Sequence, residues 1–419
     1  MKKIFLLLVL SAVMFSCSKD ADDTDSGLQD FTVTINVDPD YHFSKFTKSL
    51  TAFLSDQNGT IVASGELQTG QTVTLKFAGA PSAIYDLSYM KYDFLDFVGE
   101  DYFSLTTFSA IEQGNYTICA RPIIENSNDE IYINIENTGY PCLVTSSTSS
   151  SGTYGPENGG YYNFRSNLQD SPKSDFYVSF KSPNDQFDRY FWQRDIPEGT
   201  TFNLDYNTLP EVKNIVSVQS PSNTIFNYAL EGLPTGQTKN TFQPIREGNY
   251  PGGIASLSIP VPTNIFDSYL FRISFGNDNF QYFKDIHSAT IPTFTQEPNL
   301  SFMVNNESAS TFNMTINGDA AMYNVIFRGS DATETVFMSH AIYGEVASEV
   351  TFSKENLRIN IQQSYPKLSN FETLLLGTVS LTNYSTLSSY KDILKYRIQG
   401  KAYEIPINGL YEGVSKQFD

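Results

Sequence analysis

Apolar and polar residues alternate at period two through much of this chain. "FTVTINV" puts Phe31, Val33, Ile35 and Val37 on one face and Thr32, Thr34 and Asn36 on the other, the pattern of a half-buried strand. "TVTLKF" repeats it at Val73, Leu75 and Phe77. Between the two, Asn58-Gly59 interrupts "AFLSDQNGTIVAS". Asn-Gly supplies the positive φ angles of a type I′ turn, so a hairpin is predicted there. "AIYDLSYMKYDF" and "GNYTICARP" add short strands, and the spacing predicts a β-sandwich over residues 28–124.

The period continues downstream. "IYINI" opens a second region, 125–290, interrupted at 145–160 by a run of Ser, Thr, Gly and Pro that reads as a flexible loop or a linker. Within it "FYVSFKSPNDQFDRYF" and "LFRISFGNDNFQYF" share an alternating strand, Asn-Asp, and a terminal aromatic pair. They stand about one sandwich domain apart, which suggests duplicated modules. In residues 291–419, "TFNMTINGDAAMYNVIFRG" alternates on both sides of a Gly-Asp turn, resembling the central strand pair of a fibronectin-III-like or related sandwich, and "LRINI" alternates at Leu357, Ile359 and Ile361. "YKDILKYRI" fits a short helix or a strand equally. The expected fold class is all-β: two to four tandem β-sandwich modules of immunoglobulin-like or fibronectin-III-like type. Residues 28–124 also resemble, loosely, transthyretin-like and carboxypeptidase-regulatory-like domains.

The N-terminus departs from this pattern. Met1-Lys2-Lys3 precedes the apolar "IFLLLVLSAV", a basic start and short core that match a secretory signal over residues 1–16. The run falls short of the roughly 20 apolar residues of a spanning helix, and no later run approaches that length. "VMFSC" resembles the lipobox of bacterial lipoproteins, with Ser16 in the small position; Met14 and Phe15 depart from the commonest form. The resemblance implies cleavage before Cys17 and acylation of its sulfur. Residues 17–27 then read as a tether, with Asp20, Asp22, Asp23 and Asp25 crowded behind the cysteine. Few apolar residues and many charges predict a solvated segment. The acidic run also resembles the export signal of surface-exposed lipoproteins in certain Gram-negative bacteria, which implies an outer-membrane protein facing outward.

Net charge is −19, and two units more negative once Lys2 and Lys3 are removed. Without clustered Lys and Arg, nucleic acid is excluded as an expected partner. Besides Cys17, only Cys119 and Cys142 are present; outside the cytoplasm they are candidates for a disulfide, with two free buried thiols the alternative. His42, His287 and His340 lack metal-ligand spacing, and no metal site is predicted. Calcium is the one cofactor considered, at Asn184-Asp185 with Asp188, at Asn277-Asp278, or in the acidic stretch Asp93, Asp96, Glu100 and Asp101. That stretch also supplies the carboxylates of an alternative reading as a surface hydrolase.

The candidate ligand contact is Tyr190 and Trp192, flanked by Arg189 and Arg194. Consecutive strand residues point to opposite faces, so Phe191 opposes Tyr190 and Trp192, which leaves one aromatic face in need of cover from another module or from a ligand. No catalytic motif is present. The expected function is lipid-anchored surface binding of a glycan or an outer-membrane transporter complex. Architecture and location are similar to accessory glycan-binding lipoproteins that accompany outer-membrane nutrient transporters. A structural or adhesive spacer is the third reading.

Overall fold

The computed structural model describes residues 28–418 except 81, 121–129, 139–141, 147–148, 155–161, 168–172, 182–184, 198, 221–223, 237–241, 277–279, 371–373, 388 and 402–408; between 142 and 174 the description is of the backbone. Cys17 and the four tether aspartates lie outside the described residues. So does the Cys142 side chain; the Cys119 sulfur lies 3.7 Å from the Thr117 carbonyl oxygen.

The chain is all-β, as its alternation predicts, with two short α-helices among the described residues. One sheet of twelve strands organises it. Its spatial order is Gln243–Ile254, Thr224–Pro234, Phe266–Gly276, Gln281–Ser288, Leu410–Gln417, Leu375–Tyr384, Met322–Ser330, Val336–Glu345, Glu100–Ile111, Tyr85–Leu95, Thr47–Asp56 and Ile61–Glu66. Strands from all three expected modules therefore share one sheet, crossing the limits drawn at residues 124 and 290. Two seams join them. Val336–Glu345 runs parallel to Glu100–Ile111, with His340 opposite Leu105. Leu410–Gln417 pairs antiparallel with Gln281–Ser288 and Leu375–Tyr384.

Smaller layers cover this sheet. On one face, Val33, Ile35 and Leu75 of the sheet Thr72–Gly79, Gln29–Val37, Gly114–Ile118 meet Leu50, Ala52, Leu54, Leu87 and Phe108. The helix Tyr390–Ile398 completes that core through Tyr390, Ile393, Leu394 and Ile398. Its start is fixed by the Ser389 hydroxyl, which accepts from the Asp392 N–H at 3.2 Å. On the opposite face Phe53, Met90, Phe103 and Leu105 pack with Leu357, Ile361 and Leu368. There too lies the sheet Leu300–Asn306, Phe312–Gly318, Glu349–Phe352, whose Phe302, Phe312 and Met314 enter the same core. A third core is separate: Ile131, Ile133 and Ile135 face Phe176, Val178 and Phe180 between a three-stranded and a five-stranded sheet. Burial of each such side chain contributes about 1.5–3 kcal/mol before entropy is counted.

Three local expectations are corrected. "LRINI" is not a strand; it lies in the helix Glu355–Gln362, where Leu357 and Ile361 are buried and Ile359 is 45% exposed. Positions i and i+4 share a helix face, so two of the three alternating residues satisfy a helix equally well. Phe312–Gly318 and Met322–Ser330 are both strands but do not pair, because the Gly-Asp turn carries the chain from the small sheet to the large one. Part of the expected loop 145–160 is strand, Cys142–Ser146 pairing with Ser149–Tyr154. "FYVSFKSPNDQFDRYF" and "LFRISFGNDNFQYF" each form an antiparallel pair, the first in the five-stranded sheet and the second in the twelve-stranded one.

Candidate functional site

Tyr190 and Trp192 lie on the strand Asp188–Pro197 and point away from Phe191, as alternation requires. Each face finds internal cover. Phe191 meets Phe202 at 4.9 Å between ring centroids, on the third core. Trp192 meets Phe266 edge-on at 5.8 Å, and Tyr190 stacks on Tyr177 at 6.0 Å. The flanking arginines are engaged as well. Arg189 donates to the Leu209 carbonyl at 2.8 Å, pairs with Glu211 at 3.1 Å and lies over the Tyr206 ring. Arg194 pairs with Asp175 at 3.3 Å and donates to the Thr235 carbonyl at 3.2 Å. These four residues form a seam between sheets.

The acidic stretch at the tip of the hairpin Tyr85–Leu95, Glu100–Ile111 is likewise divided among separate donors. Asp93 accepts from Thr47 and Lys91, each at 2.6 Å. Asp101 accepts from Tyr92 at 2.7 Å and Lys367 at 2.8 Å, and Glu100 from Tyr102 at 2.6 Å. Asp188 faces Arg246 at 3.2 Å and Lys181 at 3.6 Å. Burial raises its pKa above the ordinary carboxylate range, against the pull of both cations. Asp185 accepts from the Tyr206 hydroxyl at 2.5 Å. Asn184, Asn277 and Asp278 lie outside the described residues. Among the described residues no three His, Cys, Asp or Glu gather as a metal site.

A different arrangement appears on the large sheet. Register aligns Glu247, Ala229, Arg272, Asp285, Tyr411 and Tyr384 in one row across six adjacent strands. The neighbouring row is Asn249, Asn227, Ser274, Phe283 and Gly413. Glu247, Asn227 and Arg272 are exposed, so water reaches this face. Arg272 donates to Glu231 at 2.9 Å and lies 3.7 Å from Asp285, holding two carboxylates with one guanidinium. Asn227 donates to Ser274 at 3.2 Å. Phe283 lies over Gly413, where any side chain would collide with its ring. Phe283 meets Tyr411 at 5.3 Å, and Tyr411 stacks on Tyr384 at 4.5 Å.

The electrostatics of this row are perturbed. Burial raises the pKa of both carboxyls against the pull of Arg272, and that of Asp285 reaches about 6, with the Glu231 charge adding to the rise. Partly desolvated carboxyls with raised pKa values are a recurring property of functional sites. Planar hydrogen-bonding groups thus stand beside aromatic rings on the adjacent strands. Sequence reading missed this arrangement because Glu231, Arg272, Asp285 and Tyr411 come from four strands with no local motif. The one signal was the strand "LFRISFGNDNFQYF", whose Arg272 breaks a run of apolar residues.

No protein-family model matches the chain, and no curated protein does. Among solved structures it is similar to a fimbrial assembly protein from Parabacteroides distasonis, with 6% identity, 69% of this chain and 95% of that chain covered, and a TM-score of 0.10. A likeness that loose carries no argument about fold or function.

Proposed function

We propose that the protein is a lipid-anchored cell-surface binding protein that takes a polyhydroxylated ligand, such as a glycan, on the open face of its large sheet. The observation that carries this reading is the Glu231–Arg272–Asp285 cluster beside Phe283 and Tyr411. Sugars offer hydroxyls that pair with planar carboxylate and guanidinium groups, and C–H faces that pack on aromatic rings. A few polar groups fixed beside apolar surface are the usual composition of a small-ligand site. The lipobox-like "VMFSC" and the aspartates behind Cys17 support the anchor and the outward location. The test is binding of the full chain to a glycan array, followed by calorimetry on the strongest hits. Arg272→Ala should abolish saturable binding, while Trp192→Phe, in the inter-sheet seam, should leave it unchanged. Binding that survives Arg272→Ala would place the ligand elsewhere, and no binding to any glycan would refute the ligand class.

A further inference from the structure

Asp86 and Lys354 are buried and in direct contact through Oδ2 and Nζ, although 268 residues separate them in the chain. Each backbone is fixed. Asp86 sits where the register of Tyr85–Leu95 against Glu100–Ile111 slips, between Tyr85 and Leu87. Opposite it Ala110 adopts φ +55°, and its N–H donates to Asp86 Oδ1 at 3.0 Å. Lys354 precedes the helix Glu355–Gln362; its N–H donates to the Ala309 carbonyl and its carbonyl accepts from the Arg358 N–H, both at 3.2 Å. The side chains therefore meet without freedom to drift apart.

Both groups are almost wholly withdrawn from water. An ammonium has three N–H groups to place, and among the described residues Asp86 is the acceptor that Lys354 meets. A buried ion pair is stable only when its remaining hydrogen-bonding capacity is satisfied. Passing a proton from Nζ to Oδ2 leaves a neutral amine against a neutral carboxylic acid. The two carboxyl oxygens are then unlike: Oδ1 is held by a backbone N–H, and Oδ2 faces the amine. That is the arrangement an acyl condensation needs, with a backbone donor waiting where negative charge develops.

We propose that Asp86 and Lys354 condense into an intramolecular isopeptide bond. The Nζ lone pair attacks Asp86 Cγ and the C–N bond forms. Charge gathers on Oδ1, where the Ala110 N–H receives it. A proton moves from Nζ to the protonated Oδ2, the Cγ–Oδ2 bond breaks, and one water leaves. No oxidant, reductant or cofactor enters the balance. The product ties the strand Tyr85–Leu95 to the segment that opens the helix Glu355–Gln362, so that a surface protein resists being pulled open.

The test is peptide mapping of the full-length protein digested with trypsin after denaturation and reduction. The bond should yield a branched peptide, residues 77–91 joined to residues 329–358, lighter than the sum of its parts by one water. It should also give a denaturing-gel band that migrates faster than that of Lys354→Arg and does not respond to reductant. Lys354→Arg keeps the charge but lacks the amine, and its gel mobility does not depend on its folding. Recovery of the separate peptides 77–91 and 329–354 from folded wild-type protein, with no branched species, would overturn the proposal and leave the pair ionic.

Discussion

Asp285→Asn gives a sharp test of the perturbed row on the large sheet. Burial and the Glu231 charge move the Asp285 carboxyl from 3.8 to about 6, against the attraction of Arg272. At 1.36 kcal/mol per pKa unit this amounts to roughly 3 kcal/mol. The Asp285 side chain is 21% exposed, so solvent screens only part of it. The sign follows from proton binding. Between the unfolded and folded pKa values the native state holds the proton more tightly, so stability falls as pH rises from about 4 through about 6. Asparagine mimics the protonated carboxyl and does not titrate. Wild type and Asp285→Asn should therefore have similar stability at the acid end of this window, and the variant should gain by up to about 3 kcal/mol above it. Urea unfolding of both proteins across that window, compared pH by pH, measures the difference. A constant difference, or a variant less stable at the alkaline end, would show that Asp285 is stabilised as the anion and that the row is an ordinary ion-pair network.

Other consequences are as direct. Phe176→Ala, in the separate core with Ile131, Ile133 and Ile135, should cost about 3–5 kcal/mol, read from the urea midpoint. Gly59→Val should cost about 2 kcal/mol or more, because Gly59 has φ +81° and any Cβ there meets the Leu357 backbone. Gly99→Ala, at φ +75° with open space around it, should cost about 1–2 kcal/mol for its backbone alone; equal losses at the two glycines would remove the contact argument. Cys17→Ser should move the protein from the membrane to the soluble fraction. Replacing Asp20, Asp22, Asp23 and Asp25 with Ala should leave it lipidated but protected from protease added to intact cells; unchanged digestion would refute the export reading.

Much of the β-structure was legible in the sequence because a half-buried strand writes its period directly. "FTVTINV" became Gln29–Val37 with Val33, Ile35 and Val37 buried, and Asn58-Gly59 lies between two paired strands, although only Gly59 of the two takes the positive φ that a type I′ turn requires of both. The opposition of Phe191 to Tyr190 and Trp192 also followed from alternation, and both faces proved to be covered. Other features left no local trace. Leu357 and Ile361 satisfy period two and period 3.6 at once, so the helix there was hidden. Strand partners across more than two hundred residues, such as Tyr343 and Phe108, depend on the assembled core. The Glu231–Arg272–Asp285 cluster is invisible for the same reason, since its members come from three strands that meet only in the assembled sheet.

The position of Leu410–Gln417 bears on how the protein is made. Last of the twelve strands in chain order, it lies fifth in the sheet, between Gln281–Ser288 and Leu375–Tyr384. The parallel seam between Glu100–Ile111 and Val336–Glu345 also waits for residues far along the chain. Contacts of such sequence separation form slowly, since loop closure must precede their reward. A ribosome delivers this chain from its N-terminus, so the sheet cannot close until residues 410–417 have been made. Until then the strands on either side of it, Gln281–Ser288 and Leu375–Tyr384, each keep one hydrogen-bonding edge without its partner.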